Sequence, residues 1–122
     1  MLYACATSSS HEERIATQRA IDAKAAQELA ARAPAGERLS QWLKVERERI
    51  QSERAAATQR FADAEKACWK RFAVNDCIRV ANDERRLQHD RLRQEELALN
   101  DVERRQNAAE RLHELERKKP GG

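Results

Sequence analysis

Cys68-Trp69-Lys70-Arg71-Phe72-Ala73-Val74-Asn75-Asp76-Cys77 is the stretch on which the fold of this chain turns, because it interrupts a long charged helical pattern and brackets the interruption with two thiols. On an unbroken α-helix, residues nine apart differ by about 900° of rotation and about 13 Å of rise, so Cys68 and Cys77 would face opposite ways. If the chain reverses between them, they become neighbours. Val74-Asn75-Asp76 favours the reversal: a β-branched residue followed by two cap-forming residues is a poor helix interior. The competing architecture is one uninterrupted helix that dimerises in parallel.

Upstream of the cassette, Leu43, Ile50, Ala57, Ala64 and Arg71 recur at intervals of seven, with Phe61 and Cys68 on the companion row. This is a heptad stripe for a helix that begins between Glu37 and Ser40. Arg47 and Arg54 share the companion row, so the seam is partly polar. Downstream, a helix starting at Asn75 or Asp76 and running to about Lys118 has a seam of Ile78, Ala81, Arg85, Gln88, Leu92, Glu95, Leu99, Val102, Gln106 and Ala109. Its opposite side carries Asp76, Arg79, Asp83, Arg86, Asp90 and Arg93, alternating in sign at helical spacing, which marks a solvent face. Folding the arms about the cassette sets Ala64 opposite Ala81, Leu43 opposite Val102, and Ile50 between Leu92 and Leu99. Arms of about 35 residues would be about 50 Å long.

Before the hairpin, Ser10 and Glu13 stand at capping-box spacing and start a helix that ends at Ala33, where Pro34 disfavours helix and Gly36 supplies a joint. Its apolar stripe is mostly alanine, which buries little area, so this segment docks weakly. The expectation is an all-α chain: residues 1–10 disordered, a helix over 11–33, a coiled-coil-like antiparallel hairpin over 37–118 with its turn near 72–76, and a disordered tail at 119–122.

Composition agrees with this class. Of 122 residues, 40 % are apolar and 37 % charged, which leaves little for a large globular core. The net charge of +3 comes entirely from residues 36–75, with nine basic and six acidic residues, while the segments on either side balance. Interspersed signs give a weak far field, so nucleic acid is a disfavoured partner. No apolar run is long enough to span a bilayer. Leu2-Tyr3-Ala4-Cys5 has the outline of a lipoprotein cleavage box, and Cys5 is the candidate lipidation site. Only Met1 precedes Leu2, so the outline is either accidental or part of a longer reading frame.

A disulfide between Cys68 and Cys77 would close a ten-residue loop and stabilise a weak hairpin by about 2.5–3 kcal/mol. The alternative is two buried free thiols in a cytosolic protein. Zinc fits poorly, since eight residues separate the cysteines and His89 and His113 lie far down a helix. The sequence has no CxxC redox pair, nucleophile beside a base, or phosphate-cradling glycine loop, and so points to no enzyme and no cofactor. At the tip, Trp69, Lys70, Arg71 and Phe72 form a candidate interaction cluster with Lys66 beside them. The bland reading is that Phe72 and Val74 plug the turn while Trp69 covers the disulfide.

The motif Arg71-Phe72-Ala73-Val74, Asp76-Cys77, followed by Leu92-Arg93-Gln94-Glu95 and Leu99-Asn100-Asp101, resembles a family of small uncharacterised bacterial exported proteins. The resemblance covers roughly residues 45–112. It implies signal-peptide or lipoprotein-type products in an oxidising envelope compartment and supports the disulfide, but implies no activity. The expected role is a structural or protein-interaction element of the cell envelope, in the periplasm, with the membrane as a partner through a lipidated Cys5 and a homodimer as a second way to complete the seam. Alternatives are a periplasmic holdase-like client binder and, were the chain cytoplasmic, a nucleic-acid-binding coiled coil.

Overall fold

The computed structural model describes the backbone of residues 2–119 and the side chains of residues 10–119. It is all-helical: α1 spans Leu2–Ala31, α2 Arg38–Cys68 and α3 Val74–Lys118. α2 and α3 form the expected antiparallel hairpin, and α1 packs less extensively, against α3 rather than α2. His11, Gln18 and Asp22 lie beside Val80, Leu87 and Arg91, and Leu29 lies in the cluster containing Leu92 and Leu99. α1 therefore runs parallel to α3, and its amino-terminal end points toward the hairpin tip.

The main core sits at the other end, where Leu29, Leu39, Leu43, Ile50, Leu92 and Leu99 form one buried cluster with Ala33, Trp42 and Val102 against it. Leu43, Ile50, Leu92 and Leu99 share this cluster with Val102 against it, which agrees with the register expected from the heptads. Toward the tip the seam thins to Ala57, Ala64 and Ala81 around a cavity of about 350 Å³ that Phe61, Arg85 and Gln88 also line. The Arg85 guanidinium stacks 4.6 Å from the Phe61 ring centroid, so the polar seam position becomes a cation–π contact. The charged ladder faces outward except at Asp83, which is half-buried where α1 lies alongside.

Several boundaries differ from the sequence expectation. The backbone of α1 is helical from Leu2, so Ser10 and Glu13 lie inside the helix and not at its cap, and the Thr17 hydroxyl donates to the Glu13 carbonyl at 2.8 Å. The link between α2 and α3 is residues 69–73, slightly earlier than expected. Asn75 and Asp76 are not the N-cap of α3. That position is Ala73, without a side-chain cap, and the Cys77 amide donating to the Ala73 carbonyl at 3.1 Å closes the first turn. Bonding to Cys68 draws Cys77 back against the end of α2, which compresses the reversal and places Asp76 in the first turn, where the helix dipole favours it. The seam also ends earlier: Ala109 is exposed beside the start of α2, and α3 continues past that start to Lys118 with every residue from 107 onward exposed.

The α1–α2 link turns at Gly36, whose φ of 74° is the one positive value among the described residues. A side chain there would meet no neighbour but would strain the backbone. No helix among the described residues is long and apolar enough to cross a membrane.

Candidate functional site

The tip is built by two helix ends and a covalent bond. α2 winds down through tighter turns, with the Lys70 amide donating to the Ala67 carbonyl at 3.2 Å and the Arg71 amide to the Cys68 carbonyl at 3.0 Å. Cys68 and Cys77 are joined as a disulfide with their Cα atoms 5.5 Å apart. Cys68 is fully buried and Cys77 half-buried, so the bond forms the inner wall of the turn.

What lies outside that wall is the informative part. Phe72 is fully exposed and Trp69 is 66 % exposed, while Val74 is only half-buried. The turn is not plugged by Phe72, and Trp69 leaves most of its surface in water. The reason is geometric: the disulfide already fills the space between the helix ends, so a five-residue link has no interior to receive a ring. Around the two aromatics stand Lys66, Lys70 and Arg71, all exposed and none in an ion pair among the described residues. The adjacent carboxylate Asp76 is held by Arg79 at 3.2 Å. The arrangement offers apolar faces and unpaired cations on a convex end.

Sequence reasoning did not anticipate a charged cluster midway along the hairpin. Arg49 binds Glu46 at 2.7 Å, Glu53 at 2.8 Å and, across the seam, Glu95 at 3.5 Å. Arg91 completes the cluster, 3.4 Å from Glu95 and 3.7 Å from Glu53. Burial works against the Arg49 charge, but the hydrogen bond to Glu46 and the fields of Glu95, Glu46 and Glu53 outweigh it and raise its pKa above the ordinary value. Glu95, 9 % exposed, is therefore a paired group. The companion-row arginines also reach across: Arg47 donates to Glu103 at 2.9 Å and to Asn100 at 3.1 Å, and Arg54 donates to Glu96. The helical spacing of Glu46, Arg49 and Glu53, and of Arg91 and Glu95, was the available signal. These groups satisfy one another and present no reactive centre.

Asp22 of α1 is likewise buried and accepts from the Gln18 amide at 3.0 Å. His89 is half-buried on α3 and His113 exposed on its projecting end; among the described residues no group of three histidine, cysteine or carboxylate side chains could hold a metal ion. The side chain of Cys5, the candidate lipidation site, lies outside the described residues. No family model, curated protein or solved structure matches the chain.

Proposed function

We propose that this chain is a non-enzymatic structural or interaction element of the bacterial cell envelope, a stapled helical hairpin that presents an aromatic–cationic tip. The observation that carries the reading is the fully exposed Phe72, with Trp69 beside it, on a turn closed by a disulfide. Neighbouring large aromatic groups left exposed together mark contact sites more than apolar residues exposed singly. A fixed turn lowers the entropy lost when such a site is occupied. The disulfide supports an oxidising compartment, in agreement with the resemblance to exported bacterial proteins.

Two measurements test the reading. In native protein recovered from cell envelopes and alkylated before non-reducing electrophoresis, Cys68 and Cys77 should be protected from the alkylating reagent; two labelled thiols would overturn the compartment. A photo-crosslinking residue at position 72 should give envelope adducts that the same residue at Arg93, on the solvent face, does not. Equal yields at both positions would overturn the tip as the contact site.

The exposed rings also support a holdase-like reading, in which the tip takes hold of unfolded clients. That reading requires suppression of client aggregation, lost in the Trp69→Ala, Phe72→Ala double variant.

A further inference from the structure

We infer that the partner of the tip is a bilayer surface bearing anionic phospholipid headgroups, an inference that rests on the tip being the contact site and names what it contacts. The first argument is shape. Trp69 and Phe72 stand on the convex end of a rod, and the cavities along the helices are lined by other residues. Small ligands need a concave site that surrounds most of their surface. Two protruding rings suit a fluid surface that closes around them.

The second argument is the pairing of residue types. Trp has an apolar body with one donor on its edge, and lies well at the boundary between headgroups and acyl chains. Phe72 can enter further, because it carries no polar atom to satisfy. Lys66, Lys70 and Arg71 have stems long enough to lie along the apolar boundary while their charges stay among phosphates. All three are unpaired in the described structure, so they keep their full charge for an external anion.

The third argument is charge complementarity at the aromatic end. Over α3 the signs alternate, and midway along the hairpin Arg47, Arg49, Arg54 and Arg91 are matched by carboxylates. A hairpin whose mid-length arginines are paired and whose tip cations are not would present its aromatic end to an anionic surface. Nucleic acid would need a longer basic track.

The test uses the oxidised full chain with vesicles of phosphatidylcholine alone and of phosphatidylcholine mixed equally with phosphatidylglycerol. Wild-type chain should co-sediment with the mixed vesicles and stay in solution with the neutral ones. In the Trp42→Phe variant Trp69 is the only indole, and its emission should shift to the blue and become shielded from acrylamide when mixed vesicles are added. Lys70→Gln and Arg71→Gln should each weaken partitioning about fivefold, the contribution expected of one cation near an anionic surface. Phe72→Ser should weaken it about tenfold through lost apolar burial. Sedimentation of the unaltered chain keeps the test decisive should the half-buried Trp42 resist replacement.

No sedimentation with mixed vesicles, equal binding to neutral vesicles, or partitioning unchanged in Phe72→Ser would each overturn the inference. If the chain ignores both vesicle types while position 72 still crosslinks to envelope protein, the lipid assignment falls and the interaction reading stands. If vesicles bind but native Cys68 and Cys77 are reduced, the oxidising-compartment reading falls and the lipid assignment stands.

Discussion

Between Leu39 and Ile50 the arms of the hairpin meet through leucine and isoleucine side chains that exclude water, whereas between Ala57 and Cys68 they meet through alanines, a stacked Phe61–Arg85 pair and a disulfide. The leucine half also receives the carboxyl-terminal part of α1 through Leu29. Burial stabilises the first in proportion to the apolar area removed from water, and alanines offer little of it. A covalent link stabilises the second differently, by limiting the conformations of the unfolded chain. Holding a rigid tip where the seam is thin therefore needs the bond, and the bond leaves Trp69 and Phe72 free of packing duty.

The sharpest way to break this contrast is Leu99→Ala, which removes a fully buried side chain from the leucine half and should cost about 3–4 kcal/mol in urea unfolding followed by circular dichroism. A loss no larger than that of staple removal would mean that burial does not dominate there. The Cys68→Ala, Cys77→Ala double variant should lose about 2.5–3 kcal/mol. Hydrogen exchange should then accelerate in residues 57–64 and 81–88 while residues 43–50 and 92–99 keep their protection. Uniform acceleration would show the two halves to be one cooperative unit.

A smaller effect should come from the charged cluster between the halves. Glu95→Gln weakens the partner shared by Arg49 and Arg91 and should cost about 1–2 kcal/mol, with a double-mutant cycle against Arg49→Met revealing the coupling. Smallest of all, Arg79→Ala breaks an exposed pair with Asp76 and should change stability by less than about 0.5 kcal/mol, despite its place next to the staple.

Much of the architecture was legible from residue patterns. The seven-residue spacing of Leu43, Ile50, Ala57 and Ala64, together with Ile78, Leu92 and Leu99 downstream, defined two faces that could meet in only one register once the chain reversed between the cysteines. That register also places Phe61 by Arg85 and Arg49 by Glu95, though neither contact was anticipated, because a polar residue on a seam row reads only as a weakness until its partner is known. The caps were less legible. Asn75 and Asp76 have the chemistry of N-caps, but the disulfide moved the helix start to Val74, and a covalent constraint of that kind outweighs a cap contribution of about 1 kcal/mol.

At the candidate site, the residue types at positions 69–72 were evident, but their exposure was not. Aromatic residues in turns usually pack, and only the closeness of the two helix ends around the disulfide shows that no space is left for Phe72. The placement of α1 belongs to the same class: an alanine-rich face gives no preference among partners, and its parallel course along α3, with Asp22 and Ala26 buried, follows from which surface α2 left uncovered.

The sequence by itself determined the helical class, the point of reversal and the pairing of the arms, because propensity and periodicity act within a few turns of helix and are set by local residue order. Only the tertiary structure decided which side of α3 receives α1, where the seam stops, and that the aromatic tip stands in water. Those outcomes depend on competition between surfaces far apart in the chain, and here a covalent bond and the greater burial offered by the leucine half settle that competition.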